Sequence, residues 1–373
     1  MPWKESTAMS ERLEFVQQAL KDNANIRALC REYGITPRTG YKWLKRYQVD
    51  GIAGLYDHSR RPKHNPQQSS LETEAAVLKV RQAQPSWGGR KIQWQLQQDG
   101  LPSPSPSTIT AILRRHDQIA PEDSPKHRSM QRFAMEQPNQ LWQMDFKGHF
   151  EMQNGALCHP LTVLDDHSRF LIGLQACQVE RSKRVKIHLT RIFEEYGLPE
   201  RMLMDNGSVW RGYHTLVSFW LIRLGIQVVH GRPYHPQTQG KDERLHRTLK
   251  TDLLRYYQFL DWDDCQSHFD TWRQHYNCHR PHEALQMTPP ATHYQPSSRP
   301  FTASFPEIHY EPGDILRTTD NLGKFRYQRH SFRVGKAFAH CQVAVRPTEV
   351  DGLFHVFFFR QRLIQIDLRQ NQP

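Results

Sequence analysis

The sequence predicts a multidomain protein with N-terminal all-α helix-turn-helix units, a central α/β mixed sheet and a small C-terminal β-barrel. Three observations carry this. The front of the chain places apolar residues at helical spacing between Gly and Pro breaks. The middle shows hairpin strands followed by alternating helices and strands, the pattern of a mixed sheet covered on both faces. After residue 301 short alternating runs are divided by Pro312-Gly313, Asn321-Leu322-Gly323 and Asp351-Gly352.

A chain of 373 residues is long enough for two or three domains with sizeable cores. Mean hydropathy is −0.76, and no apolar run reaches the roughly 18 residues of a membrane span. The start, MPWKESTAMSER, lacks the apolar segment of a signal peptide. Six scattered cysteines with no C-x-x-C pair read as reduced thiols of a cytoplasmic protein. The net charge of +12 points to a polyanion partner. Residues 1–140 hold 21 Lys and Arg against 14 Asp and Glu, whereas residues 141–300 hold 19 against 17. A basic front and a nearly balanced middle fit a binding module joined to a catalytic one.

Ser10 to Asp22 reads as a first helix and Ile26 to Gly34 as a second. Thr36 then offers an N-cap and Pro37 the first helical position of a third. That helix carries Arg38, Thr39, Lys42 and Lys45 among Trp43, Leu44 and Tyr47. Helix, Gly-containing turn and basic helix form a helix-turn-helix, whose second element enters the DNA major groove. This unit spans 1–51. The linker 52–70 includes Arg60, Arg61 and Lys63, a basic arm suited to a minor groove or to a solvated spacer. A second three-helix unit spans 71–117, with Ser105 capping a helix from Pro106 that turns Ile109, Ile112 and Leu113 inward and Thr108, Arg114 and Arg115 outward. Residues 118–139 form a second linker.

In the middle, residues 141–146 read as a strand with Trp142, Met144 and Phe146 on one face and Asp145 on the other. Arg201 to Met204 is another strand, ended by Asp205-Asn206-Gly207. Gly231 to Lys250 opens as a Pro- and Gly-broken loop and continues as a helix from Gly240. Leu245, Leu249, Leu253 and Tyr256 mark that helix's buried face, and Glu243, His246, Arg247 and Lys250 the opposite one. Asp145, Asp165, Asp166 and Asp205 could each simply end a strand or form a turn. Together, Asp145, Asp205 and Glu243 could converge. Without a cation, each pair would repel by about 4 kcal/mol at about 4 Å and an effective dielectric near 20. Such a cluster suits Mg²⁺, a hard cation that prefers oxygen ligands.

The segments LWQMDF (141–146), MDNGSVW (204–210) and PYHPQTQGKDERLHRTLK (233–250) resemble the three catalytic blocks of the retroviral-integrase superfamily. Within it they are most similar to bacterial insertion-sequence transposases with an Asp-Asp-Glu triad, which tandem helix-turn-helix units also typify. YNCHRPHEAL and MTPP (276–285, 287–290) resemble the segment closing that core. The resemblance covers roughly residues 140–295. It implies an RNase H-like catalytic core over 140–297 and a small β-barrel over 301–373 that contacts DNA and neighbouring subunits. Asp145, Asp205 and Glu243 become the catalytic, metal-binding triad, with Asp242 the less favoured third member. The stretch between Asp205 and Glu243 is two residues longer than is usual in the family.

The implied cofactor is Mg²⁺, two ions per site, with Mn²⁺ able to substitute. The implied reaction has two steps: water cuts the element end to leave a 3′-hydroxyl, which then attacks a target phosphodiester. His235, Gln237, Lys241, Arg244, His246, Arg247 and Lys250 would line the DNA path. The expected partners are double-stranded DNA, as element ends and target, and further copies of the chain in a homo-oligomer on DNA, with no membrane. The expected setting is the bacterial nucleoid. Two alternatives are an inactive transposon-derived DNA-binding regulator and a metal-dependent nuclease that cuts without strand transfer.

Overall fold

The structure is a computed structural model that describes residues 7–58, 68–119, 134–204, 215–230, 240–302 and 304–369. The chain divides into two compact units, Met1–Gln68 and Ser69–Pro373.

The first unit holds α1 (Ala8–Ala19), α2 (Ile26–Glu32) and α3 (Pro37–Asp50). Each helix begins where a short polar side chain accepts an orphan backbone N–H: Thr7 from Ser10, Asn25 from Ala28, and Thr36 from Thr39. The core is Phe15, Val16, Cys30, Trp43, Leu44 and Leu55. Gly40 makes this crossing possible. A Cβ there would lie 2.5 Å from Cys30 Sγ and 2.8 Å from a Phe15 ring carbon.

The second unit begins with α4 (Leu71–Ala83), α5 (Gly89–Gln98) and α6 (Pro106–Arg115). Val77, Trp87, Ile92, Leu96, Ile109, Ile112 and Leu113 form their core. The expected Ser105 cap and Pro106 start of α6 are present. Gly89 plays the part of Gly40, since a Cβ there would lie 2.4 Å from the Pro106 carbonyl oxygen.

A mixed sheet follows, built from β1 (Leu141–Phe146), β2 (Phe150–Glu151), β3 (Leu157–Asp165) and β4 (Leu171–Cys177). After α7 (Ser182–Tyr196) come β5 (Arg201–Met204), α8 (Leu216–Arg223) and β6 (Gln227–His230). The order is β2-β3-β1-β5-β6, with β4 on β3. β1 runs antiparallel to β3 and parallel to β5, and β5 is parallel to β6. Next are α9 (Gly240–Leu249), a π-helical turn (Lys250–Leu254) and α10 (Trp262–Cys278).

Two apolar clusters cover the two faces of this sheet. Trp142, Met144, Leu161 and Val163 pack on Val185 and Leu189 of α7 and Val217 and Trp220 of α8. Leu164, Leu171 and Leu174 pack on Leu245 and Leu249 of α9 and Phe269 and Trp272 of α10. The two-residue strand period therefore turns Trp142 and Met144 towards α7 and α8, and sends Asp145 to the side of α9.

The remainder is antiparallel: β7 (Ile315–Thr318), β8 (Lys324–Tyr327), β9 (His330–Arg333), β10 (Gln342–Pro347), β11 (Leu353–Phe358) and β12 (Gln361–Asp367). They form a four-stranded sheet, β12-β11-β10-β7, and a separate β8-β9 hairpin. The expected small barrel is thus corrected to two sheets that do not close among the described residues. β7 and β12 remain edges of the larger sheet, which packs on α8 by stacking Phe358 on Phe219 at 5.4 Å between centroids.

Candidate active site

β1 delivers Asp145 next to α9. Asp145 pairs across the antiparallel ladder with Thr162 of β3. The Thr162 hydroxyl donates to the Asp145 carbonyl oxygen at 3.1 Å and lies 2.9 Å from His246 Nε2. His246 Nδ1 stands 3.9 Å from Asp145 Oδ2. Burial, then the Lys147 ammonium, holds the His246 pKa down to about 4, so the ring is neutral at physiological pH. His246 was expected on the outer side of its helix with the DNA-facing residues; instead it points at the strand end. Four- and three-residue spacing placed Leu245, Leu249 and Leu253 correctly, but the π-helical turn shifts the register and leaves Tyr256 half exposed.

Glu243 is exposed and lies one turn before His246, at i and i+3 on one stripe. Its neighbour Asp242 is only 2 % exposed, and its Oδ1 lacks a hydrogen-bond partner. Burial, then the charges of Asp145 and Asp166, pushes the Asp242 carboxyl well above the usual carboxylate range. Two acids of the trio expected from sequence, Asp145 and Glu243, are therefore described, one on β1 and one on the helix packed beside it. Asp205 lies outside the described residues. Met204, which precedes it, is in parallel register with Met144, which precedes Asp145. Among the described residues no group of three His, Cys, Asp or Glu forms a metal cage. The donors on this side of the sheet are carboxylate oxygens, the chemistry that Mg²⁺ prefers. An unpartnered buried carboxylate oxygen and a neighbour of like charge are consistent with a place for a cation.

The other two acids at this end of the sheet are structural. Asp165 accepts from the Ser168 hydroxyl at 2.6 Å, the Ser168 N–H at 2.8 Å and the Asn139 N–H at 2.8 Å. Asp166 accepts from Gln143 Nε2 at 2.6 Å and the Met135 N–H at 2.8 Å.

Lys241 was read as a phosphate contact. Its ammonium is instead spent on Asp166, 2.5 Å away, and burial, then Arg169, lowers its pKa to about 8. Arg244 and Arg247 are exposed on α9 and Lys250 at the start of the π-helical turn. In the first unit Arg38, Lys42 and Lys45 are exposed on α3, with the Lys42 ammonium 4.7 Å over the Trp43 ring. The Thr39 and Thr108 hydroxyls, read as DNA contacts, bond to the capping hydroxyls of Thr36 and Ser105 at 2.9 Å. Arg114 is exposed, but Arg115 pairs with buried Glu74 at 3.1 Å. Arg60, Arg61, Lys63, His235 and Gln237 lie outside the described residues. No described helix is long and apolar enough to cross a membrane.

Sequence reasoning named His246 and Asp242 but missed that both turn inward, and it missed the Lys241–Asp166 pair altogether. For Asp242 a signal existed: its position, three residues before Leu245 on the apolar stripe, foretold burial. For His246 none did, because a polar side chain between Leu245 and Arg247 reads equally well outward.

Models of known families match five stretches of the chain. An integrase core domain matches residues 135–236 and a second integrase core model residues 224–290. A homeodomain-like domain matches 39–113, a helix-turn-helix domain 11–63, and the C-terminal domain of IS481 family transposases 314–373. Among curated proteins, the Gag-Pro-Pol polyprotein of Mason-Pfizer monkey virus is 37% identical over 118 residues, 31% of this chain and 6% of the polyprotein. That of sheep pulmonary adenomatosis virus is 37% identical over 120 residues, 32% of this chain and 6% of the polyprotein. The chain thus spans a small fraction of the length of these relatives. Similar solved structures include a simian T-cell lymphotropic virus intasome in complex with the PP2A regulatory subunit B56 gamma, with a TM-score of 0.39 and 16% identity. That match covers 77% of this chain and 99% of the other. The HTLV-2 integrase catalytic core domain in complex with magnesium has a TM-score of 0.34 and 14% identity over 43% of this chain and 99% of the other.

Proposed function

Because the chain belongs to the insertion-sequence transposases of the retroviral-integrase superfamily, we propose that it is a DNA strand transferase. It binds the ends of a mobile element, cuts there to free 3′-hydroxyls, and joins them to target DNA by transesterification. The observation that carries this reading is the placing of Asp145, at the end of β1, against the helix that bears Glu243, inside the stretch matched by the integrase core.

Asp145, Asp205 and Glu243 would hold two Mg²⁺ ions, for which Mn²⁺ could substitute, and the ions would activate the attacking oxygen and stabilise the leaving one. The chain's own residues orient the DNA. Arg244 and Arg247 of α9 and Lys250 of the turn that follows it are exposed cations on the helix that bears Glu243 and its continuation, and they would meet phosphates. Arg38, Lys42 and Lys45 of the first helix-turn-helix, and Arg114 of the second, hold the element end. Modules at 1–51, 71–117, 140–297 and 301–373 would divide the work, with Arg60, Arg61 and Lys63 in the arm between the first two. His235 and Gln237 would meet DNA from the stretch of chain before α9. Joining requires two ends together, so the working form is a homo-oligomer on DNA.

A strand-transfer assay with element-end DNA and Mg²⁺ tests this. Joined product is expected from the wild type and is lost in Asp205→Asn. Cutting without joining would make the chain a nuclease, and binding without either would make it a regulator.

A further inference from the structure

The strand that carries Asp145 and the helix that carries Glu243 are tied together by side chains, and the tie has a definite proton order. Thr162 is fully buried on β3, opposite Asp145. A hydroxyl has one proton and two lone pairs. The Thr162 proton goes to the Asp145 carbonyl oxygen, so its oxygen accepts the second bond, and His246 Nε2–H donates it. This assigns the ring its Nε2–H tautomer. The other edge of the ring then stands 3.9 Å from Asp145 Oδ2 and closes one side of that carboxylate. His246 lies one helical turn from Glu243, so whatever fixes the ring also fixes the turn that presents Glu243.

We propose that His246 is a positioning residue that sets the spacing of the Asp145 and Glu243 carboxylates by tying α9 to β1 through the Thr162 hydroxyl. The proposal rests on the reading of Asp145 and Glu243 as cation-holding acids, and it explains a polar chain that nothing else in the fold requires. The buried face of α9 is otherwise held by Leu245 and Leu249. An apolar contact keeps a helix on a sheet but tolerates sliding, whereas two hydrogen bonds in series fix its register. Groups that orient metal-holding side chains typically change ion affinity by about 10- to 100-fold when removed.

The test is Mn²⁺ binding to the full chain without DNA, followed by the electron paramagnetic resonance of free Mn²⁺, with thermal melting in parallel. His246→Ala and Thr162→Val are each expected to weaken Mn²⁺ binding by about tenfold. The double variant should be no weaker than either alone, because both break one chain of bonds. His246→Gln, whose amide N–H reaches the place of Nε2–H, should restore binding. Wild-type binding in His246→Ala, with binding lost in Asp145→Asn, overturns the tie and leaves the reading of Asp145 standing. Loss in His246→Ala that Gln does not restore also overturns it, since plain packing is then enough. Unchanged binding in Asp145→Asn removes both the tie and the reading on which it rests.

Discussion

In the first helix-turn-helix unit the cations of α3 face outward around a buried tryptophan; in the second, a cation at the end of α6 is turned back to a buried glutamate. Arg12, Lys42 and Arg46 stand 4.1, 4.7 and 5.1 Å from the Trp43 ring centre. Trp43 thus gathers Lys42 and Arg46 of α3 with Arg12 of α1, which also pairs with Asp57 at 3.1 Å, and the exposed Tyr41 lies nearby in the chain. Glu74, by contrast, takes both Arg115 at 3.1 Å and His116 at 2.8 Å. The second helix-turn-helix is also bound to residues 252–283, which follow the mixed sheet. Arg90 pairs with Glu283 at 3.6 Å, the Trp87 ring lies 6.2 Å from that of His275, and Lys91 is buried beside Arg280 and Asp252. Similar local plans, each with a glycine where two helices meet, therefore serve different ends. The first unit keeps the charge of α3 at the surface. The second spends part of its charge on pairs within itself and with the segment that follows the mixed sheet.

The sharpest way to break that contrast is to loosen the seam. Arg280 donates to Asp252 at 2.9 Å, and the two side chains are 9% and 10% exposed. Removing one member of such a buried pair strands the other. Arg280→Ala should destabilise the unit 69–373 by about 3 kcal/mol or more. Denaturant melting would show the loss, while the melting of residues 1–68 stays unchanged. Equal loss in both units would refute the division.

A smaller effect tests the seam by pH. Burial, then Arg280, lowers the Lys91 pKa from 10.5 to about 7. Between those values the unfolded chain binds a proton that the folded chain does not, so Lys91 makes stability rise with pH across that window. The slope is at most about 1.4 kcal/mol per pH unit. Below about pH 7 both states are protonated and the full burial penalty stands. Lys91→Met should therefore raise the melting midpoint at pH 7 and remove most of that slope. A slope equal to that of the wild type would show that Lys91 does not face the seam.

Much of this organisation was legible in the residues. Thr36-Pro37 and Ser105-Pro106 announce helix starts whatever surrounds them, because a cap and a fixed φ are local physics. Trp142, Met144 and Asp145 sort to opposite faces by the strand period alone, and the structure keeps that sorting. What could not be read were pairings between distant segments. Lys241 looks like any surface lysine until Asp166, far back in the chain, is seen to take its charge. Arg115 and Glu74 pose the same problem. The closed barrel failed for a related reason: alternation marks strands, but closure depends on which edges pair, and β7 and β12 do not.

The finest test separates charge that binds from charge that braces. Lys45 is exposed on α3, and no described acid pairs with it in a salt bridge. Lys45→Ala should leave melting unchanged and reduce the salt dependence of DNA binding, the slope of log K on log salt, by about one. Arg115 is 39% exposed on its side chain, and Glu74 keeps His116 when it is removed. Arg115→Ala should therefore cost only about 1 kcal/mol of stability, discounted for solvent screening, and change the salt slope less than Lys45→Ala does. Filter binding across a salt series, with melting of the same proteins, reads both quantities. If Arg115→Ala flattened the slope as much as Lys45→Ala and left melting untouched, the second unit would be spending its charge as the first does, and the contrast between them would be gone.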